Sequence, residues 1–140
     1  MVRKNQRSVS RFQTCDKALE LAVYTSNILA NEKIFDTKFK STIDRIGSEA
    51  TMIYHNVRVA NNIKVDNYQE DSNPVQRRLS LESEALSLCD DLITDIMISQ
   101  KLFHLKASRV RFWTQLTMET QSLIKSWMKS EIERVKYNRS

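Results

Sequence analysis

Hydrophobic residues recur every three or four positions along most of this chain, which is the spacing of one face of an α-helix. Four segments show the pattern, and polar residues separate them. The first begins near Thr14 and fades at Asn31, the second begins at Ser41, the third covers 75–103, and the fourth begins near Ser108. The pattern therefore predicts four helices, with a clear loop at 66–74 before the third.

Each predicted helix has one apolar stripe that is expected to face a common core. The first stripe consists of Cys15, Ala18, Leu19, Ala22, Val23 and Leu29. The second consists of Ile43, Ile46, Ala50, Ile53, Val57 and Ala60. The third consists of Leu79, Leu81 or Glu82, Ala85, Leu86, Cys89, Leu92, Ile93, Ile96 and Phe103. The fourth consists of Val110, Trp113, Leu116, Thr117, Thr120, Leu123, Ile124, Trp127 and Val135.

The chain contains one glycine and one proline, so little interrupts these patterns. Tight turns with positive φ and β-hairpin loops require such residues, and their scarcity favours long helices with short polar connections. Pro74 is expected at the first helical position after an N-cap at Asn73. Gly47 lies on the apolar side of the second helix, where we expect a neighbouring helix to approach closely.

Polar residues at the predicted helix starts suit N-terminal capping. Thr14 is expected to cap the first helix, with Asp16 in its first turn. Ser41 and Asp44 form an arrangement like a capping box at the second.

These elements predict a single all-α domain, an antiparallel up-down-up-down four-helix bundle in which helices 3 and 4 are longer than helices 1 and 2. Residues 1–12 lack periodicity and are expected to form a basic N-terminal arm. The bundle is then expected at 13–137, followed by a short tail at 138–140.

Composition bounds the class of protein further. No segment approaches the roughly 20 apolar residues that a membrane-spanning helix needs, and the N-terminus has no apolar core typical of a signal peptide. Cys15 and Cys89 both fall in helical patterns that suit small apolar side chains, and they do not form a disulfide framework. These features predict a cytoplasmic protein.

The net charge of +5 is unevenly distributed. Residues 1–15 carry +4 and residues 104–140 carry +5, whereas the segment 16–103 between them carries −4. Basic ends of this kind indicate a nucleic-acid or acidic-protein partner, although solubility is the simpler explanation.

Residues that carry enzyme chemistry are scarce. His55 and His104 have no histidine or glutamate three or four positions later, and the cysteine spacing does not match a metal site. A single glycine rules out a glycine-rich phosphate loop. The acidic residues of the third helix fit a solvated or docking face better than a metal site. We therefore expect no enzyme activity, no metal and no cofactor.

The basic residues of the fourth helix are more organised. Lys125, Lys129 and Lys136 share one face, and Arg111 falls within about 40° of Lys125 at 100° per residue. Such a ridge attracts phosphates without reading bases. The candidate nucleic-acid contacts are Arg77, Arg78, Lys106, Arg109, Arg111, Lys125, Lys129, Arg134 and Lys136.

Three apolar residues of this helix invite a different interpretation. Trp113 and Trp127 are fourteen residues apart on one apolar face, together with Leu123. We expect this face to pack in the core or between subunits, with base stacking as the alternative.

Three segments suggest a family. They are ALELAVYTSNI in helix 1, RRLSLESEALSLCDD in helix 3 and FHLKASRVRFWTQLTMETQSLIKSWMKSEIERVK in helix 4. Over about 125 residues, from Thr14 to Tyr137, the chain resembles the accessory variability determinant (Avd) family of diversity-generating retroelements. These four-helix proteins are related in fold to the rRNA intervening-sequence proteins.

The resemblance implies a non-enzymatic accessory protein that forms a homopentamer. It further implies binding to a reverse transcriptase, to structured template RNA and possibly to cDNA, in support of mutagenic cDNA synthesis. Two alternatives stay open, a ribosome-associated four-helix protein and a protein-interaction scaffold without a nucleic-acid role.

Overall fold

A computed structural model describes residues 4–69 and 72–139, with side chains described for 11–69 and 72–137. The chain forms four helices, α1 (Lys4–Leu29), α2 (Lys40–Asn62), α3 (Asn73–Leu102) and α4 (Ala107–Arg139). A single 3-10 turn, Thr37–Phe39, precedes α2. The described residues contain no β-strand, so the prediction of an all-α, four-helix protein is confirmed.

Each helix packs against two others, in the pairs α1–α2, α2–α3, α3–α4 and α1–α4. Long side chains bridge two of these pairs. Arg45 of α2 pairs with Asp95 of α3, Arg78 of α3 donates to the carbonyl oxygen of Ala60 at the end of α2, and Trp113 of α4 donates to Thr25 of α1. The apolar side chains of all four helices enclose one main core.

The apolar stripes of α2, α3 and α4 largely agree with the prediction. Buried side chains shared by the predicted and observed stripes include Ile46, Ile53, Val57, Ala85, Cys89, Leu92, Ile96, Trp113, Leu116, Ile124 and Trp127. Each helix is covered on one side only, and residues spaced by three or four positions lie on one side of a helix. The spacing therefore identified the buried positions.

The predicted stripe of α1 is partly wrong. Leu19 is 44% exposed and Val23 is 50% exposed, whereas Leu21, Thr25 and Ile28 are buried. The buried face of α1 is therefore rotated about the helix axis relative to the predicted face. Thr25 is buried on that face because its hydroxyl accepts a hydrogen bond from the indole of Trp113.

The predicted start of α1 is also wrong. The helix begins at Lys4, ten residues before Thr14, and Thr14 is fully buried inside it. The predicted arm at 1–12 is therefore helical from Lys4 onward, and residues 1–3 lie outside the described residues. Polar residues can continue a helix without an apolar stripe, so periodicity gave no indication of these ten helical residues.

The other helix starts differ by one residue. α2 begins at Lys40 with Phe39 in the N-cap position and no side-chain cap, and Asp44 instead accepts a hydrogen bond from Lys40. Helix α3 begins at Asn73, so Ser72 rather than Asn73 occupies the N-cap. Pro74 still lies in the first turn, where it removes no helical hydrogen bond.

Gly47 has more room than predicted. A Cβ built there would meet a side-chain carbon of Leu29 at 3.5 Å, an ordinary van der Waals distance. Leu29 at the end of α1 therefore does lie close to Gly47, as expected, but an alanine side chain also fits there.

Aromatic side chains fill the end of the bundle where α3 ends and α4 begins. Phe35, from the connection after α1, lies with its ring centroid 4.7 Å from that of Phe103 and 6.3 Å from that of Trp113. Phe39 packs against Phe103 from the 3-10 turn. These rings tie both connections to the core. None of the helices over the described residues is long and apolar enough to cross a membrane.

Candidate nucleic-acid interface

The structure separates the nine basic residues that the sequence analysis grouped together. Six are exposed, two are half-buried and one is buried. The exposed residues are Arg77, Lys106, Arg111, Lys125, Lys129 and Lys136, the half-buried ones are Arg109 and Arg134, and the buried one is Arg78. Their different environments divide them into distinct groups along α4 and α3.

Lys125, Lys129 and Lys136 form the most compact group. All three line one shallow groove of about 300 Å³, beside Ile132 of the same helix and Leu86 of α3. None of them forms an ion pair within the described residues, although Glu133 also lines the groove. We call this region the lysine groove. Unpaired ammonium groups over an apolar floor are suited to bind a polyanion.

Arg111 does not join the lysine groove. It lines a separate groove of about 650 Å³ near the start of α4, which includes Met118 and Glu119. Lys106 and Arg109 lie at that same end of the helix, and at 1.5 Å per residue Arg109 is about 40 Å from Lys136 along the axis. The predicted ridge is therefore two separate basic regions of α4.

Arg78 cannot act as a surface contact, because only 2% of the residue is exposed. Its Nε donates to the carbonyl oxygen of Ala60 at 3.1 Å, and its Nη2 donates to that of Ile63 at 2.9 Å. Its Nη1 donates both to the hydroxyl of Tyr68 and to Oε1 of Glu131. Arg78 is therefore not an exposed phosphate contact like the lysines of α4, and its guanidinium joins the end of α2 to α4.

Glu131 is the anionic partner of this buried arginine. It is 2% exposed, and its Oε1 lies 2.8 Å from Arg78 Nη1 and 2.9 Å from the indole nitrogen of Trp127. Arg134 approaches the other oxygen at 3.9 Å and places its guanidinium 3.6 Å from the ring centroid of Tyr68. Arg134 is therefore engaged with this buried cluster and does not extend the lysine groove.

Glu82 lies one turn after Arg78 on α3 and is fully buried. Neither carboxyl oxygen has a hydrogen-bond partner among the described residues. Burial, reinforced by the nearby charge of Glu131, raises the pKa of Glu82 to about 8. The side chain is therefore protonated at neutral pH, which avoids a second buried negative charge beside Glu131.

Trp113 and Trp127 are core residues. Trp113 is fully buried and Trp127 is 3% exposed, while Leu123 is half-buried. Because both indoles are enclosed within one chain and donate hydrogen bonds to Thr25 and Glu131, they are not available for base stacking. The core-packing interpretation is correct for both tryptophans.

One of the acidic residues of α3, Asp95, forms structural contacts inside the bundle. Asp95 is buried and forms two hydrogen bonds with Arg45, at 2.8 and 3.1 Å. Burial, together with a hydrogen bond to Asp95, raises the pKa of Glu49 to about 8, so that this pair shares a proton at neutral pH. Over the described residues, no three histidine, cysteine or acidic side chains form a group that could hold a metal ion.

Sequence reasoning missed two cations. Arg11 of α1 and Lys64, which follows α2, line a pocket beside Arg78 and Arg134. Nothing in the local sequence indicated this pocket, because its residues come from distant parts of the chain. The burial of Arg78 was not signalled either, because it depends on pairing with Glu131, which lies 53 residues away in the sequence.

No family model, curated protein or solved structure matches this chain. The resemblance to the Avd family therefore stays a prediction.

Proposed function

We propose that this protein is a non-enzymatic RNA-binding accessory protein that contacts RNA phosphates through the lysine groove. The observation that carries the proposal is the convergence of Lys125, Lys129 and Lys136, all exposed and without ion pairs among the described residues, on one groove. From Lys125 to Lys136 the helix rises about 16 Å, enough for several phosphates of one strand.

The test is RNA binding by the Lys125→Glu, Lys129→Glu double variant. Affinity is measured by fluorescence anisotropy with a structured RNA at several salt concentrations. We expect the variant to bind more weakly and the slope of log K against log salt to fall by about 1.4–1.8, since each of the two lost phosphate contacts contributes roughly 0.7–0.9. Helical content by circular dichroism should be unchanged, because both residues are exposed.

The matched control is Lys33→Glu with Lys38→Glu, which changes the net charge equally. Both lysines are exposed on the connection between α1 and α2. We expect this control to bind RNA nearly as well as the wild type. Equal losses in the two variants, or an unchanged affinity in the groove variant at ~0.1 M salt, would remove the lysine groove from the interface.

The resemblance to Avd proteins supplies the biological setting of the proposal. In that setting, the protein acts in the cytoplasm and binds the reverse transcriptase of a diversity-generating retroelement together with its template RNA. Purification of the tagged protein from native cells, with sequencing of the bound RNA and identification of the bound proteins, tests this. Recovery of ribosomal RNA without a reverse transcriptase would favour the ribosome-associated alternative.

We further propose that the helices run up-down-up-down and that the protein forms a homo-oligomer. Contacts between helix starts and helix ends, such as Arg78 with Glu131, support the antiparallel order. Phe12, Leu19 and Val23 are 59%, 44% and 50% exposed on one face of α1, and this supports a subunit interface. Five subunits are implied by the resemblance.

Sedimentation analysis of Leu19→Lys with Val23→Lys tests the oligomer. We expect a shift to monomer without loss of helicity, because the substituted side chains are exposed in the single chain. A control with Met97→Lys and Ile98→Lys, which are exposed on α3, should retain the assembly. A monomeric wild type would overturn the oligomer and leave the RNA proposal standing.

A further inference from the structure

A second basic region lies at the end of the bundle where α3 begins and α4 ends. A pocket of about 370 Å³ opens there, within the range of pockets that bind small molecules. Among the described residues, its lining contains one acid, Asp66, and four cations, Arg11, Lys64, Arg78 and Arg134. These cations come from α1, the connection after α2, α3 and α4, so only the folded chain brings them together.

Buried contacts hold the floor and wall of this pocket in place. The hydrogen bonds from Arg78 to Ala60 and Ile63 fix the last turn of α2 and the chain that follows it. Two more N–H groups of Arg78 donate to Tyr68 and Glu131, so four of its five donors are used. The fifth, on Nη2, has no acceptor among the described residues, and the arginine lines the pocket.

Arg134 is held at the pocket by two further contacts. Its guanidinium lies over the ring of Tyr68, and its Nη1 lies 3.9 Å from Glu131. Tyr68 is itself fixed by the hydrogen bond from Arg78. The cation is therefore positioned before any ligand arrives, which lowers the entropy that binding must overcome.

The charges and shape of the pocket indicate the chemistry of its ligand. Asp66 and Glu131 offset two of the four cations, so that two positive charges remain. A phosphomonoester carries between about 1.5 and 2 negative charges at pH 7 and offers three acceptor oxygens, whereas a carboxylate carries one charge. Ile63, Val65 and the amides of Asn61 and Asn62 complete the lining and suit an organic group with polar atoms.

We propose that this pocket binds a nucleoside monophosphate unit, supplied either as a free nucleotide or as the phosphorylated end of an RNA. The site is separate from the lysine groove. Arg134 follows Lys125 by nine residues, and at 100° per residue this places the two on opposite sides of α4. Binding of a free nucleotide therefore does not depend on the proposed function of the groove.

Calorimetric titration with AMP in phosphate-free buffer tests the proposal, with adenosine as the neutral probe. We expect AMP to bind and to raise the melting temperature, and adenosine to bind at least tenfold more weakly. The Arg11→Gln, Lys64→Gln variant should lose at least tenfold in affinity for AMP. A matched variant, Lys125→Gln with Lys129→Gln, should retain AMP binding although it loses the same charge.

RNA oligomers of one sequence, with a 5′-phosphate or a 5′-hydroxyl, distinguish the two sources. A preference for the phosphorylated oligomer that disappears in the Arg11→Gln, Lys64→Gln variant supports an RNA end. Binding of AMP without any such preference supports a free nucleotide. The pocket proposal is overturned if AMP binds no better than adenosine, or if both charge variants lose AMP binding equally.

Discussion

The two ends of this helical bundle are closed by different interactions. Where α3 ends, the side chains of Phe35, Phe103 and Trp113 pack with ring centroids 4.7 to 6.3 Å apart. Where α3 begins, Arg78 and Glu131 form a buried ion pair at 2.8 Å. Dispersion and the hydrophobic effect stabilise the first of these ends, the aromatic end. Both depend little on the identity of any one partner.

The stability of the end closed by Arg78 and Glu131, the ionic end, depends on specific partners, because each buried charge needs its counterpart and its hydrogen bonds. The same requirement makes that end chemically useful. Arg78 holds the end of α2 in position, and the cations around it line an open pocket. The aromatic rings contribute stability, whereas the ionic end combines a structural role with a pocket for which we propose a ligand.

The largest expected effect is that of Arg78→Met, which leaves Glu131 buried without its partner. Removing one member of a buried ion pair costs about 3–5 kcal/mol. We expect the upper part of this range, because the carbonyl groups of Ala60 and Ile63 also lose their donor. The measurement is the midpoint of urea unfolding.

Two further variants separate pairing from simple loss of a side chain. Arg77→Met changes the exposed neighbour and should shift stability by less than about 0.5 kcal/mol. Adding Glu131→Leu to Arg78→Met removes the unpaired charge and should restore at least about 2 kcal/mol. A double variant as unstable as the single one would contradict this account of the ionic end.

Phe35→Ala is the corresponding test of the aromatic end. Phe35 is fully buried, and deletion of a buried phenylalanine costs about 3–5 kcal/mol through lost transfer energy and a residual cavity. We expect a loss near 3 kcal/mol that is the same at low and high salt, as measured by urea unfolding. A strong salt dependence would mean that the two ends are not distinct in their energetics.

Protonation of Glu82 gives the ionic end a pH dependence. The folded-state pKa of about 8 lies above the ordinary value of 4.5, so the folded protein holds a proton that the unfolded chain releases. Stability therefore falls as pH rises from about 5 to 8, by up to about 1.4 kcal/mol per pH unit from this group.

Glu82→Gln should remove this contribution. We expect the variant to unfold at a similar urea concentration to the wild type at pH 5 and at a clearly higher one at pH 8. Glu84→Gln, an exposed change on the same helix, should leave the wild-type pH profile in place. Parallel profiles for wild type and Glu82→Gln would refute protonation of the buried carboxyl.

Sequence reasoning predicted the aromatic end better than the ionic end. Apolar residues at helical spacing identified Trp113 and Phe103 as core positions, because hydrophobic burial follows residue type directly. Arg78 and Glu131 are 53 residues apart, and charged residues of this kind are ordinarily found at the surface. Their burial depends on mutual pairing, which a pattern along one helix does not reveal.

The first helix shows a second limit of sequence reasoning. Leu19 and Val23 form an apolar pair at helical spacing, yet both are exposed in the single chain. An apolar stripe predicts that something covers it, and it does not distinguish the chain's own core from another subunit. The basic residues raised a similar problem, since a count of charges could not separate the lysine groove from the buried cluster.

The smallest effect concerns backbone strain at the aromatic end. His104 has a φ of 55°, the left-handed conformation that glycine usually supplies after a helix. The next amide, of Leu105, donates to the carbonyl oxygen of Gln100 at 3.2 Å and so closes the end of α3. A left-handed residue other than glycine costs roughly 1–2 kcal/mol, partly offset by the entropy that glycine loses on folding.

His104→Gly should therefore stabilise the protein by about 0.5–1 kcal/mol, seen as a small rise in the urea midpoint. His104→Ala keeps the strain and removes the exposed imidazole, so it serves as the control and should not stabilise. If both variants raised the midpoint equally, the imidazole rather than the backbone would be the source of the cost. A gain confined to His104→Gly would show that the backbone conformation of His104 is the source of the cost.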